Sequence, residues 1–136
     1  MLQNISKVLL SEEQIQTRVK ELAAELSREY AGKDPVFVGV LKGVVVFYAD
    51  FVKNFTEPCQ MDFMSLSSYK GTKSTGNMIV KRDLSTDIKG RHVVILEDIF
   101  DTGRSLEFTY KHLLSKEPAS LEICTLLDKP DRREEG

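Results

Sequence analysis

The sequence predicts an α/β domain built on a largely parallel sheet that is flanked by helices. Short apolar runs alternate along the chain with stretches whose apolar residues recur at helical spacing, and this alternation favours parallel strands connected by helices. The clearest apolar runs are VFVGVL at 36–41 and HVVILED at 92–98, and the clearest helical pattern lies at 105–116. A chain of 136 residues can bury one sizeable core, so we expect residues 1–136 to form a single domain.

The first predicted helix has a defined start and end. Ser11 and Gln14 have the spacing of a capping box, and apolar residues recur behind them at helical spacing. Gly32 ends that pattern. The run that follows, 36–41, is short and continuously apolar, which predicts a strand buried on both faces.

Three phenylalanines, Phe47, Phe51 and Phe55, recur at i,i+4 spacing and predict a buried helix over 44–55. Apolar runs and turn signals predict the remaining elements, which are a strand at 60–69, a flexible hairpin loop at 70–76, strands at 77–84 and 92–98, a helix at 105–116 and a strand at 121–128. Ligands of parallel sheets bind at the carboxyl ends of the strands, so we expect a functional site there.

Composition and charge are those of an ordinary soluble protein. Hydrophobic residues make up 41% and charged residues 29% of the chain, and 19 basic against 21 acidic residues leave a net charge of -2. This balance disfavours nucleic acid or an anionic membrane as the main partner. The most apolar stretch, 36–52, contains Lys42 and Asp50, so we do not expect it to span a membrane.

The cysteines and the N-terminus indicate the cellular compartment. Cys59 and Cys124 lie 65 positions apart without CxxC spacing, so neither a zinc site nor a disulfide framework is expected. The N-terminal stretch MLQNISKVLLSEEQ lacks the basic start and the long apolar run of a signal peptide. We therefore expect a cytoplasmic protein.

The segment ILEDIFDTGRSL (95–106) ends in a candidate anion-binding turn. Its last part, Thr102, Gly103, Arg104 and Ser105, lies between a predicted strand and a predicted helix. Backbone N–H groups at a helix start are unpaired and carry a partial positive charge, and glycine lets a ligand approach the backbone closely. The turn therefore predicts a phosphate site, although Gly/Ser turns that only cap a helix are also common.

Three carboxylates, those of Glu97, Asp98 and Asp101, precede this turn. They would repel a bare phosphate, but they suit a ligand that also offers hydroxyl donors or brings a cation. A sugar phosphate meets both conditions, because Glu97 and Asp98 can accept hydrogen bonds from sugar hydroxyls and Asp101 remains for chemistry. The alternative is that acids at a strand end are simply solvated or paired with Lys or Arg.

The sequence VVILEDIFDTGRSL resembles the phosphoribosyl pyrophosphate (PRPP) signature of type I phosphoribosyltransferases. That signature has four apolar residues, two acids, two apolar residues and then Asp-Thr-Gly-x-Ser/Thr, all of which this chain matches. Three further segments, VGVLKGVVVF, SLSSYKGTKSTG and LLDKPDRR, resemble the pyrophosphate loop, the mobile loop and the purine-binding segment of the hypoxanthine-guanine members of this family. The resemblance covers nearly the whole chain.

The resemblance implies the type I phosphoribosyltransferase fold and a purine-salvage reaction. The 5-phosphoribosyl group moves from PRPP to hypoxanthine or guanine, which gives IMP or GMP and pyrophosphate, with Mg²⁺ as cofactor. By the same resemblance, Asp101 acts near the purine N7 as general base or hydrogen-bond acceptor. Glu97 and Asp98 bind the ribose hydroxyls and reach the metal indirectly or through those hydroxyls.

The resemblance also implies roles for the rest of the signature and for the three further segments. They are the PRPP and phosphate ligands Asp101, Thr102, Gly103, Arg104 and Ser105, the pyrophosphate ligands Leu41, Lys42, Gly43 and Arg133, the mobile-loop pair Ser68 and Tyr69, and the purine-binding Lys129. Taken without the family, Lys42 and Lys129 are ordinary exposed lysines, and Tyr69 is a half-buried aromatic at a strand end.

Members of this family continue with a further strand and a hood that carries a purine-stacking aromatic and a magnesium-binding aspartate. This sequence ends at Gly136, so we expect it to lack the hood, to keep the PRPP half of the site and to hold the base poorly. The implied assembly is a homodimer or homotetramer, with PRPP and a 6-oxopurine as the small-molecule partners.

Two alternatives compete with this prediction. A PRPP-sensing regulatory protein of the same fold that binds nucleic acid would show a basic face, whereas basic residues are dispersed along this chain. A haloacid-dehalogenase-like phosphatase carries the motif DxDxT, in which one residue separates the aspartates. Here two residues separate Asp98 from Asp101, which disfavours the phosphatase.

Overall fold

The computed structural model of the protein describes residues 11–41, 44–68, 78–100 and 104–128. These residues form three helices and five strands. In chain order the elements are α1 (Glu12–Glu29), β1 (Val36–Leu41), α2 (Val45–Asn54), β2 (Gln60–Ser68), β3 (Met78–Arg82), β4 (His92–Phe100), α3 (Arg104–Leu114) and β5 (Ser120–Asp128). Each of them lies where the sequence predicts a helix or a strand.

The five strands form one sheet in the order β3-β2-β1-β4-β5. Strands β1, β2, β4 and β5 are parallel, and β3 runs antiparallel to β2. The largely parallel sheet is therefore confirmed, and β2 and β3 form the predicted hairpin. The central strand β1 has β2 on one side and β4 on the other, so the strand order reverses between β1 and β4.

The helix α1 begins with the predicted capping box. The backbone N–H of Gln14 donates to Oγ of Ser11 at 3.0 Å, and the side chain of Gln14 accepts from the Ser11 N–H at 2.8 Å. The helix ends at Glu29, and Gly32 follows in the turn with φ of +80°, a left-handed backbone that suits glycine. Within the described ranges, no helix combines the length and the apolar character that a membrane span needs.

Apolar side chains pack on both faces of the sheet. On one face α1 and α2 cover a cluster that includes Phe37 and Val94, and on the other face α3 covers a cluster that includes Val38 and Ile95. Because side chains alternate along a strand, β1 and β4 bury residues on both faces. The two central strands are therefore the most firmly held part of the sheet.

Aromatic rings fix α2 on β1. The ring centroid of Phe37 lies 5.1 Å from that of Phe51 and 4.8 Å from that of Phe55, and both pairs meet edge to face. Phe37 and Phe51 are fully buried. The helix is confirmed and its phenylalanines are buried, but the prediction of a helix buried all round is wrong, because Val45 and Val46 are exposed and only one face packs on the sheet. Phe55 packs directly after the helix ends at Asn54.

The structure differs from the sequence prediction at the carboxyl ends of the two central strands. β4 continues to Phe100, whereas the apolar run predicts an end at Asp98. β1 is buried on both faces only as far as Gly39, and its last residue, Leu41, is 37% exposed. β4 is longer because its pairing with β5 continues to Phe100 and Asp128, whereas β1 has no such pairing with β4 beyond Val38.

Asp62 on β2 is a buried carboxylate that the apolar pattern of this strand does not predict. Its Oδ2 accepts hydrogen bonds from the backbone N–H groups of Ser85 and Thr86, at 2.9 and 2.7 Å. Its Oδ1 accepts from the Phe63 N–H at 2.9 Å, and the residue is 8% exposed. A buried carboxylate needs such donors, and here they tie the segment after β3 to β2.

Replacing Asp62 with alanine should lower the free energy of unfolding by about 2 kcal/mol, because it leaves buried backbone donors without an acceptor. Chemical denaturation measures the change. The matched control is Asp87→Ala, since Asp87 is exposed and, among the described residues, accepts one hydrogen bond, from the Lys89 N–H at 3.1 Å. The control should change stability by less than about 0.5 kcal/mol. Equal losses in the two variants would contradict this role for Asp62.

Candidate functional site

The carboxyl ends of four parallel strands meet at one edge of the sheet. β1, β2, β4 and β5 end there at Leu41, Ser68, Phe100 and Asp128. The predicted site segments contain these ends or follow them directly in the sequence. The fold therefore brings segments that are far apart along the chain to a single edge of the sheet. Because α/β sheets bind ligands at the carboxyl ends of their strands, we call this edge the ligand edge.

The two central strands separate before they reach this edge. The pairing of β1 with β4 covers Val36–Val38 against Val93–Ile95, whereas the pairing of β4 with β5 extends to Phe100 and Asp128. Counted on from the Val38–Ile95 pair, Leu41 and Asp98 each lie three residues further along their strands. Leu41 and Asp98 therefore lie at equivalent positions beyond the last pair, which puts the ends of β1 and β4 on the two sides of one crevice.

The structure locates the predicted site residues to different extents. Leu41 and Glu97 are described in full, and the backbone alone is described for Ser68, Asp98, Arg104 and Ser105. The other predicted site residues lie outside the described residues, and they are Lys42, Gly43, Tyr69, Asp101, Thr102, Gly103, Lys129 and Arg133. In the sequence, each of these residues lies within five positions of the end of β1, β2, β4 or β5.

Glu97 lies on β4 in the part that projects toward the ligand edge. It is half-buried, and its backbone is in register with Thr125 of β5. Alternation along the strand puts its side chain on the same face as Val93 and Ile95, which is the face that α3 covers. The carboxylate therefore lies on the α3 side of β4, where it can accept hydrogen bonds from a ligand's hydroxyl groups.

The helix α3 begins three residues after β4 ends. β4 ends at Phe100 and α3 starts at Arg104, so three residues separate them. The helix therefore starts close to the ligand edge. Leu106 and Leu113 anchor α3 in the apolar cluster of this face. The first N–H groups of a helix have no partner within it and carry the positive end of the dipole, so this helix start suits an anion.

The helix α2 provides a second helix start at the same edge, on the opposite face of the sheet. The residue before it, Val44, is already in a helical conformation and makes no side-chain cap. Valine has no side-chain acceptor for the first N–H groups, which leaves them available to a ligand. The crevice between β1 and β4 is therefore flanked by two positively polarised helix starts.

Sequence reasoning missed two residues that shape this edge, Gly39 and Tyr48. A Cβ added at Gly39 would lie 2.8 Å from Cδ2 of Tyr48, so the ring occupies the space that a side chain on β1 would need. Burial raises the pKa of the Tyr48 phenol well above its ordinary value, so the hydroxyl stays protonated. A glycine inside a strand is the sequence signal for such a close approach.

The comparisons with known proteins agree with this geometry. The profile of the family described as phosphoribosyl transferase domain matches residues 7–136. A hypoxanthine-guanine phosphoribosyltransferase of Streptococcus pneumoniae is 48% identical over 135 residues, which cover 98% of this chain and 75% of that protein. A hypoxanthine-guanine-xanthine phosphoribosyltransferase of Tritrichomonas foetus is 46% identical over 129 residues, which cover 95% of this chain and 70% of that protein.

Solved structures show the same likeness in three dimensions. The crystal structure of a hypoxanthine phosphoribosyltransferase from Staphylococcus aureus superposes with a TM-score of 0.84 at 44% sequence identity. The match covers 92% of this chain and 68% of that one. Identity at this level over nearly all of the chain, together with a shared fold, shows that the chain belongs to the phosphoribosyltransferase family.

Proposed function

We propose that this chain transfers the 5-phosphoribosyl group of PRPP to hypoxanthine or guanine and releases pyrophosphate, a reaction of purine salvage. The observation that carries this proposal is the pair of helix starts at the carboxyl ends of β1 and β4. PRPP carries an anionic group at each end of its ribose, and the two helix starts offer two anion sites on either side of one crevice. The relatives reported above are named as phosphoribosyltransferases, and this favours an enzyme over a regulator that binds nucleic acid.

The two anionic groups of PRPP are assigned to the two helix starts. The turn from Thr102 to Ser105 takes the 5-phosphate, because it leads into α3 and contains Gly103. The segment Leu41–Lys42–Gly43 takes the pyrophosphate, because it leads from β1 to the uncapped start of α2. Arg133 adds a positive charge to the pyrophosphate by family resemblance.

The ribose and the metal are assigned to the acidic pair. Glu97 and Asp98 are consecutive on β4 at the ligand edge and supply carboxylate oxygens, which accept hydrogen bonds from sugar hydroxyls and are ligands that Mg²⁺ prefers. Glu97 and Asp98 would hold Mg²⁺ indirectly or through the ribose hydroxyls, and the ion would supply positive charge against that of the leaving pyrophosphate. The chain's own carboxylates orient the ribose and stabilise the positive charge that develops at its reacting carbon.

The purine is assigned to the segments that follow β4 and β5. Asp101 comes directly after Phe100, and Lys129 comes directly after Asp128, which is the register partner of Phe100. This adjacency supports a site in which Asp101 accepts a hydrogen bond or proton at the purine N7 and Lys129 donates to the 6-oxo group. Ser68 is the last residue of β2 and pairs with Met78 of β3, and Tyr69 lies outside the described residues. By family resemblance the pair is assigned to a loop that closes over the reacting centre and excludes water.

We also propose that residues 1–136 form a single domain of a cytoplasmic protein that assembles as a homodimer or homotetramer. One continuous sheet and one family match from 7 to 136 support the single domain. Val45 and Val46 at the start of α2 are 46% and 73% exposed, and such apolar surface is consistent with contact to another subunit.

A steady-state assay with PRPP and Mg²⁺ tests the proposed reaction. Hypoxanthine or guanine should be converted to its nucleotide with release of pyrophosphate, and xanthine should be assayed beside them. Adenine should react with a kcat/KM at least about 10²-fold lower, because its amino group cannot accept the hydrogen bond that Lys129 offers. Binding of nucleic acid in a salt-dependent gel shift, without turnover of any purine, would overturn the proposal.

Replacing Asp101 with asparagine separates its chemical role from PRPP binding. The variant should lose about 10²–10⁴-fold in kcat, the usual contribution of a general base, while its Kd for PRPP stays within about threefold. Single-turnover kinetics and calorimetry measure the two quantities. Asp87→Asn on the exposed surface is the control and should change neither. Equal losses of turnover and PRPP affinity in Asp101→Asn would remove Asp101 from the chemistry.

A further inference from the structure

The side chain of Tyr48, in the first turn of α2, is buried between the helix and the sheet. Its ring rests on Gly39, where an added Cβ would lie 2.8 Å from Cδ2 and 3.1 Å from Cε2 of the ring. The ring centroid of Phe63 lies 4.4 Å from that of Tyr48, and Phe63 is the register partner of Gly39 on β2. Tyr48 is 3% exposed. The ring is therefore confined by backbone on one side and by an aromatic ring on another.

Tyr48 also forms hydrogen bonds on both sides of the connection between β1 and α2. Its hydroxyl donates to the backbone carbonyl of Phe37 at 2.7 Å, and its backbone N–H donates to the carbonyl of Val44 at 2.8 Å. Phe37 belongs to β1, which ends at Leu41, and Val44 directly precedes α2. Tyr48 therefore bonds both to β1, which precedes the connection, and to Val44, which follows it.

The last part of β1 depends on this contact more than the rest of the strand does. The pairing of β1 with β4 ends at Val38, so Gly39, Val40 and Leu41 are paired only with β2. On the face of the sheet that α2 covers, the Tyr48 ring lies against Gly39 and beside Phe63 of β2, two residues before the end of β1. A shift of the ring would therefore be passed to the end of β1.

We propose that Tyr48 is a positioning residue for pyrophosphate binding, which it serves by fixing the distance and orientation between the end of β1 and the start of α2. The proposal rests on the proposed function, since it assigns the pyrophosphate of PRPP to this connection. Tyr48 itself does not touch the ligand. Its hydroxyl sets how far Leu41 and the first N–H groups of α2 stand apart, and an anion bridging them is sensitive to displacements of about 1 Å.

The test compares Tyr48→Phe with Tyr30→Phe. Tyr30 is also buried, and its hydroxyl also donates one short hydrogen bond, to Glu122 at 2.6 Å. Its ring lies 6.4 Å from that of His92, the first residue of β4, so Tyr30 belongs to the amino edge of the sheet. The two variants therefore lose the same chemical group at opposite edges.

Tyr48→Phe should raise the KM for PRPP and the Kd for magnesium pyrophosphate about 3- to 10-fold, the usual effect of losing one buried hydrogen bond on a coupled equilibrium. The KM for hypoxanthine and the kcat should stay within about twofold. Tyr30→Phe should leave all four constants unchanged, although it lowers the melting temperature. A purely structural role for Tyr48 would predict that the two variants behave alike.

Gly39→Ala provides a second test of the same contact, because its Cβ would displace the Tyr48 ring. It should raise the same two constants by at least as much as Tyr48→Phe. Unchanged pyrophosphate affinity in both variants would overturn the positioning role while leaving the transferase function intact. A wild-type protein that binds neither PRPP nor pyrophosphate would instead overturn the proposed function and this inference together.

Discussion

The parallel arrangement of β1 and β4 at the centre of the sheet is the constraint on which the rest of the site depends. Each strand leads through a short connection into a helix, and the two helices pack on opposite faces of the sheet. Their positively polarised starts are thereby directed toward one crevice from two sides. Glu97 adds negative charge on the β4 side of that crevice. The resulting charge pattern suits a ligand with anionic ends and a polyol between them.

The packed core fixes the central strands and the helices that lead from them. Phe37 on β1 and Ile95 and Leu96 on β4 are fully buried, so the central strands cannot shift without disturbing a close-packed core. The helices are held by their own buried residues, Phe51 on α2 and Leu113 on α3. Two of the segments proposed to bind the ligand, 42–43 and 101–103, are short connections between these fixed elements. The elements on either side of them are thus held in place by the core, and ordering such anchors in advance lowers the entropy cost of binding.

Patterns within short stretches of sequence predicted the helices and strands. The geometry of the candidate site depends instead on contacts between residues that are far apart in the sequence. The capping box of Ser11 and the phenylalanines of α2 are patterns within one element, and the structure confirms both. The position of β3 at the edge of the sheet and the early end of the β1–β4 pairing depend on residues far apart in sequence. Asp62 illustrates the same limit, because two of its three donors, Ser85 and Thr86, lie more than 20 positions away and no pattern within β2 reveals them.

A backbone amide NMR titration with PRPP and Mg²⁺ shows where the ligand binds independently of turnover. If PRPP binds between β1 and β4, the largest shifts occur at the carboxyl edge, at Leu41, Glu97, Asp98 and Ser105. Amides at the amino edge, such as those of Val36, His92 and Ser120, should stay unchanged. Shifts concentrated at the amino edge, or no response to PRPP at millimolar concentration, would contradict a PRPP site between β1 and β4.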